Sequence, residues 1–216
     1  MSTDRRHPLR RLLNDAAEGR FPPADFSVEV LSSPPGRSDA VVAFSAHNVI
    51  AASLQADEVH ARLTDDDPAT PMSAPFLAWL GRRLDASPGA LDMVMVAPRS
   101  PEPGQRLSLA TDTAGHARVE RAQRYRSDVQ VYRSDDGHGL VILGRGLADR
   151  WEVSIEVEPA SRGRGLGREL AVAAASLVPA GEPLFAQVSP GNVASVRAFL
   201  AAGYHPICSE VLFLRR

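Results

Sequence analysis

The sequence Val157-Glu158-Pro159-Ala160-Ser161-Arg162-Gly163-Arg164-Gly165-Leu166-Gly167-Arg168-Glu169-Leu170 packs three glycines and three arginines into the seven residues from Arg162 to Arg168. Alternating apolar and polar residues from Trp151 to Val157 lead into it, and an Ala/Leu-rich helical pattern from Leu166 to Leu177 leads out. The segment therefore predicts a strand, a tight glycine turn and a helix. Glycines 163, 165 and 167 bare the backbone where the helix begins. A helix start offers unpaired N–H groups and a partial positive charge, which suit a phosphate. Arg162, Arg164 and Arg168 add positive charge. The expectation is an anion cradle for the pyrophosphate of a nucleotide-like cofactor. A plain strand-to-helix connection would need one glycine, not three flanked by arginines.

The chain is 216 residues long, enough for one large domain or one domain with an appendage. Its 44% hydrophobic and 23% charged residues are those of an ordinary globular protein. A net charge of −2 gives no field favouring nucleic acid or a membrane surface, and neither is expected as a partner. The lone cysteine, Cys208, excludes an intrachain disulfide and any multi-cysteine metal site, and fits a reducing cytoplasm. Histidines 7, 47, 60, 116, 138 and 205 lack metal-ligand spacing, so no metal is expected. Every basic side chain apart from histidine is arginine, which removes lysine mechanisms and suggests a GC-rich bacterial source. The arginines near the start are followed by no long apolar run, so no signal peptide is expected, and nothing reaches the ~18 apolar residues of a transmembrane helix.

Outward from the glycine turn, the first half predicts a helix over Pro8–Glu18, a strand through Val28 and Val30, and a buried strand over Ala40–Phe44 that His47–Ala52 extends. A short helix over Ala56–Leu63 should end at Asp65-Asp66-Asp67-Pro68, and Ser73 should cap a helix striped by Phe76, Leu77, Leu80 and Leu84. A strand over Leu91–Val96 precedes the loop Pro98–Gly104, the best boundary between halves. Residues 1–90 then form an N-terminal α/β extension, and residues 91–216 a second domain. That domain predicts a helix through Val119, Ala122 and Tyr125 and a hairpin of Val129–Tyr132 with Leu140–Leu143 about Asp135-Asp136-Gly137. Gly144-Arg145-Gly146 should interrupt as a bulge before strand Trp151–Val157. After the glycine turn come strand Leu184–Val188, a helix capped by Asn192 and ended by Gly203, and a closing strand Val211–Leu214. The order β-β-β-α-β-α-β argues for a mixed sheet in an α/β protein.

A dinucleotide fingerprint needs G-x-G-x-x-G after a first strand, and Arg168 stands where its last glycine would fall. A Walker A loop needs a lysine, which the chain lacks. The pattern Arg162-x-x-Gly165-x-Gly167 instead resembles the coenzyme A pyrophosphate loop of the GCN5-related N-acetyltransferases (GNAT), whose signature is Arg/Gln-x-x-Gly-x-Gly/Ala. Val157-Glu158-Pro159 resembles that family's strand ending in Val-x-Pro. Asn192-Val-Ala-Ser195-Val-Arg-Ala-Phe199-Leu-Ala-Ala-Gly203-Tyr204 resembles its downstream Asn-x-x-Ala/Ser-x-x-x-Tyr/Phe-x-x-x-Gly-Phe/Tyr segment. Both motifs stand at the right separation, and the resemblance covers roughly residues 91–216.

The resemblance implies the acyl-CoA N-acyltransferase fold, acetyl-CoA as co-substrate and direct acetyl transfer to an amine. It implies coenzyme contacts from Ile155, Val157, Arg162, Gly163, Arg164, Gly165, Leu166, Gly167, Arg168, Asn192, Ser195 and Phe199, with the thioester carbonyl held by a strand N–H near Val157. The pantetheine arm should lie where this strand and Leu184–Val188 part. The amine must lose a proton, for which a carboxylate is the usual base. Trp151, Val153, Ile155 and Val157 share one strand face, and Glu152, Ser154, Glu156 and Glu158 the other. Carboxylates on a covered face are costly unless they line a wet cavity, so Glu152 and Glu156 are the candidate bases. A solvated face, or pairing with arginines, is the competing reading. The family's frequent glutamate position falls on Trp151, and Phe199 stands where many members carry a tyrosine acid, so the acid is unassigned. Those two departures keep a non-catalytic acyl-CoA-binding module as the alternative. The acceptor could be a protein N-terminus, a small amine, an amino acid or an antibiotic. Residues 1–90 could supply a sheet extension, a substrate lid or a homodimer surface.

Overall fold

The computed structural model describes residues 7–63, 67–99 and 106–216. Asp65, Asp66 and the segment from Ser100 to Gly104, expected as turn and loop, lie outside the described residues. In chain order the elements are α1 (Pro8–Ala17), β1 (Val28–Leu31), β2 (Ser38–Phe44), β3 (His47–Ala51), α2 (Ala56–His60), α3 (Ala74–Leu84), β4 (Pro88–Val96) and β5 (Leu107–Leu109). They continue with α4 (Ala117–Tyr125), β6 (Ser127–Ser134), β7 (Gly139–Arg145), β8 (Trp151–Val157), α5 (Leu166–Ala174), β9 (Leu184–Val188), α6 (Val193–Ala201) and β10 (His205–Leu214). The chain groups into two units.

The first unit takes the described residues up to Asp92, with Leu147–Asp149 and Ile207–Arg216. Its strands run β1-β3-β2-β10, with β1 parallel to β3 and the other two pairs antiparallel. Val41, Ile50, Val59, Phe76, Leu80, Val211 and Phe213 form its core. Ser73 caps α3, its hydroxyl accepting from the Phe76 N–H at 3.4 Å, and Pro75 occupies the first turn where a missing N–H costs nothing. His47–Ala52 does not extend β2. The chain reverses through Ala46 at φ 51°, and β3 pairs back on β2 with Phe44 opposite His47. The closing strand is longer than its apolar run, at ten residues, and pairs antiparallel with β2.

The second unit comprises Met93–Gly146 and Arg150–Pro206. Strands β5, β6, β7 and β8 form an antiparallel meander; β9 lies parallel to β8, and the C-terminal half of β4 runs antiparallel to β9. This mixed sheet and the order β6-β7-β8-α5-β9-α6-β10 agree with the sequence reading. Strand β7 is buried almost throughout, as its unbroken Leu140–Leu143 run requires. Helix α5 turns Leu166, Leu170, Ala171 and Ala174 onto Val141, Leu143, Val153, Leu184 and Ala186. The expected bulge at Gly144–Gly146 is elsewhere. Gly144 and Arg145 stay in register with Glu152 and Trp151, and the irregularity falls between Ser127 and Gln130 of β6, where Asp128 has φ 50°.

Phe199 and Tyr204 close the core below α5, edge to face at 4.9 Å, and the Tyr204 hydroxyl donates to the Ala171 carbonyl at 3.0 Å. Burial pushes that phenol well above its ordinary value, so it is a packing residue and a fixed donor. Tyr204→Phe keeps the ring and loses the bond. It should cost about 1 kcal/mol in urea unfolding, and an unchanged midpoint would show that the bond contributes nothing.

Candidate functional site

Strands β8 and β9 are paired only from Trp151 opposite Leu184 to Val153 opposite Ala186. Beyond that they part. The Glu158 N–H donates to the His138 carbonyl at 2.9 Å, in step with the register of Val157 opposite Gly139. Antiparallel pairs alternate in direction, so the N–H groups of Val157 and Ile155 point away from β7, toward the side that β9 has left. The backbone thus presents a short row of donors at the mouth of the gap.

The chain leaves β8 through the turn Pro159–Ser161 and enters the glycine run. Gly163 and Gly165 adopt φ 75° and 93°, and a Cβ added at Gly163 would meet nothing within 4 Å. Their requirement is conformational: only glycine takes this left-handed backbone without strain. Gly165 is the N-cap of α5 and no side chain caps it, which leaves early N–H groups of the helix to face outward. Gly167 is glycine for closeness instead. A Cβ there would stand 3.5 Å from the Ala198 Cβ on α6, 3.8 Å from Val157 and 3.9 Å from Ile155. The loop, the end of β8 and α6 therefore meet at one point.

The three loop arginines are not equivalent. Arg162 donates from Nε to the Val157 carbonyl at 3.0 Å, and Arg168 to the Ala201 carbonyl at 3.0 Å. Both brace the loop. Arg164 is exposed, and its guanidinium makes no hydrogen bond or ion pair among the described residues, so it is the loop cation available to an anion. Asn192 caps α6, its side-chain oxygen accepting from the Ser195 N–H at 3.2 Å. Two of the residues expected to contact the coenzyme have buried side chains. Phe199 is 3% exposed and Leu166 is 8% exposed, so their side chains belong to the core; only the Leu166 backbone faces the loop.

The opposite face of β8 carries the carboxylates. Glu152 is buried and cannot serve as a base. Its Oε2 accepts from Arg126 Nε at 3.0 Å; its Oε1 accepts from Arg150 Nε at 2.9 Å and from Gln187 Nε2 at 3.0 Å. Two guanidinium groups hold the charge. Burial, the largest influence, pulls the Arg126 pKa below its ordinary value, against the pull of Glu152. Arg150 also stacks over Phe185 at 5.3 Å. The cluster explains Gly146: a Cβ there would fall 2.2 Å from the Glu152 carboxylate. Glu156 is half-buried, accepts from Arg118 Nε at 2.7 Å and lies 3.9 Å from His116 Nε2. With Glu158, which pairs with His138, it is one of two carboxylates on this face beyond the last β9 pair.

Sequence reasoning misses Arg118, Arg126, Arg150, Gln187 and His116. It allows arginine pairing of the glutamates, but partners 26 and 35 positions away leave no spacing signal. It also misses His138, which sits at the turn into β7, with Nδ1 2.8 Å from Glu158 Oε2. Among the described residues, no group of three His, Cys, Asp or Glu side chains could hold a metal, and no helix is long and apolar enough to cross a membrane.

No family model matches the sequence, and no curated protein matches it either. Among solved structures, the chain is similar to an acetyltransferase of the GNAT family from Colwellia psychrerythraea (14% identity, TM-score 0.41, covering 66% of this chain and 63% of that one). It is also similar to a GCN5-related N-acetyltransferase from Kribbella flavida (15%, 0.41, 67% and 65%). A third is a GNAT-family protein from Novosphingobium aromaticivorans (21%, 0.43, 59% and 65%). The matched region spans less than two thirds of each of these chains.

Two outcomes test this geometry. Gly146→Ala must displace the Glu152 carboxylate and should destabilise the protein by at least about 2 kcal/mol, read from urea unfolding; a neutral result would mean the ion cluster is not packed as described. The hydrogen bond to Glu158 raises the His138 pKa, against desolvation and a push from Arg164 and with a smaller pull from Asp136, so its imidazole should titrate above 6.5 in NMR. Because the folded value is raised, the pair's stabilisation is full below pH 6.5 and fades as the pH rises through the folded value. Glu158→Gln should lower the titration point, and no change on that substitution would exclude the pairing.

Proposed function

We propose that the chain is an acetyl-CoA-dependent N-acetyltransferase of the GCN5-related family, acting on an amine. One observation carries the reading: the left-handed glycine loop, the uncapped start of α5 and the unpaired end of β8 converge where β9 has departed. Backbone N–H groups from Gly163 to Arg168, with Arg164, would hold the pyrophosphate, and Asn192 and Ser195 on α6 would flank it. Ile155 and Val157 would hydrogen-bond the pantetheine arm and the thioester carbonyl, an oxyanion-type contact made by the main chain. The coenzyme supplies an activated acyl group. The protein's part is to seat it against the open face of β8 and take a proton from the amine. Glu156 is the group placed for that proton, directly or through one water. The same reading makes the protein cytoplasmic and bacterial, with residues 1–90 an extension of the transferase domain, no metal, no nucleic-acid or membrane partner, and a homodimer as the assembly to test.

A second reading is a non-catalytic acyl-CoA-binding module. It is favoured by one specific finding: Glu152 is locked in an ion cluster, Tyr204 and Phe199 are core residues, and Glu156 is paired with Arg118. No phenol on α6 or β9 is left to protonate a leaving thiolate. A screen of amine acceptors with thiol detection separates the two, because the module would bind without releasing CoA.

Acetyl-CoA and CoA should each raise the Tm of the wild type, by an amount that grows with ligand concentration. Gly165→Glu puts a carboxylate into the cradle and a side chain on left-handed backbone, and should abolish the shift. A wild type that responds to neither ligand would reject both readings.

A further inference from the structure

Backbone pairing between β8 and β9 stops at Val153 opposite Ala186, but one side-chain bridge crosses beyond it. Gln187 is the β9 residue after that last pair. Its Nε2 donates to Glu152 Oε1 at 3.0 Å, and its Oε1 accepts from Arg126 Nη2 at 3.3 Å. Had the strands stayed together, the register would set Gln187 against Ser154. Instead its side chain reaches back to Glu152, the partner of Phe185. The anchor is rigid: Glu152 is 1% exposed, clamped by Arg126 and Arg150, and seated in the space that Gly146 leaves. Stability alone does not call for such a bridge, since apolar residues of similar size usually serve a buried site as well or better.

We infer that Gln187 is a positioning residue, which ties β9 to the buried Glu152–Arg126 pair and so fixes the line along which β9 leaves β8. That line sets the width of the gap into which Ile155 and Val157 turn their N–H groups. Gln187 touches no coenzyme; it acts through the strand that carries it. The inference rests on the coenzyme A reading, in which the pantetheine arm lies in this gap.

The test uses the full chain and two ligands measured by titration calorimetry: CoA, and 3′-phosphoadenosine 5′-diphosphate, which is the nucleotide half without the pantetheine arm. Gln187→Met keeps length and loses the hydrogen bonds to Glu152 and Arg126. It should weaken CoA roughly tenfold, the equivalent of one well-made hydrogen bond, and leave the nucleotide half unchanged. Gln187→Asn, which keeps the amide but falls a methylene short, should act in the same direction and replaces the first variant if that one fails to fold. Equal weakening of both ligands, or unchanged CoA affinity with only a lowered Tm, would overturn the inference and leave Gln187 a structural residue. A wild type that binds the nucleotide half as tightly as CoA also overturns it, because the gap then holds no pantetheine. A wild type that binds neither ligand fails at the underlying reading instead.

Discussion

A carboxylate that is 1% exposed cannot remain charged in a protein interior without compensation, and the middle of the second unit is arranged around that constraint. Glu152 sits on β8 between two strands that cover it on both edges, β7 and β9. Its neighbours answer it from three places: Arg126 at the end of α4, Gln187 on β9, and the β7–β8 connection, which supplies Arg150 and, at Gly146, the absence of a side chain. Removing any one partner leaves a buried charge or an unpaired donor, which costs more than the intact cluster contributes. The cluster is therefore poor evidence of stability and good evidence of specification. It fixes the relative positions of three strands to within hydrogen-bond tolerance at the point where two of them separate.

Where the strands separate, main chain and side chain divide the work between them. On the α5 side most of what is presented is backbone: N–H groups of Ile155 and Val157, left-handed Gly163 and Gly165, and the uncapped first turn of α5, with the exposed Arg164 beside them. Backbone donors are fixed by the fold and indifferent to most substitutions, except those that add a Cβ where φ is positive. On the α4 side everything offered is side chain: Glu156, Arg118 and His116, half-exposed and mutually paired. The second is built of side chains and can change residue by residue.

This division also explains what is legible in the sequence. Strand β8, the glycine run and α5 are readable because a period of two, three glycines and a period near 3.6 stand next to each other. Asn192 is readable as a cap for the same local reason. The β2–β3 hairpin escapes a sequence reading because its turn, Ser45-Ala46, lacks the glycine or asparagine that positive φ usually demands, and Ala46 takes φ 51° regardless. Gly144 and Gly146 point to a bulge that neither marks: Gly144 stays paired in β7 and Gly146 makes room for a carboxylate. The strand alternation rightly flags carboxylates on a covered face. It does not say whether water or arginine meets their cost, because Arg126 approaches from 26 residues away.

The distinction between Glu152 and Glu156 shows how far a shared face can mislead. Four residues apart on one strand, they have the same orientation and nearly the same sequence context. Glu152 lies within the stretch that β9 still covers, so its charge must be neutralised by partners, and partners on both oxygens leave neither free to take a proton from a substrate. Glu156 lies past the last β9 pair, where β9 no longer covers the strand, and it keeps a third of its side-chain surface exposed. Its single short contact, with the half-exposed Arg118, can exchange for water or substrate at small cost because screening makes exposed pairs weak. The end of strand pairing between Val153 and Ile155 is thus what separates a structural carboxylate from a chemically available one.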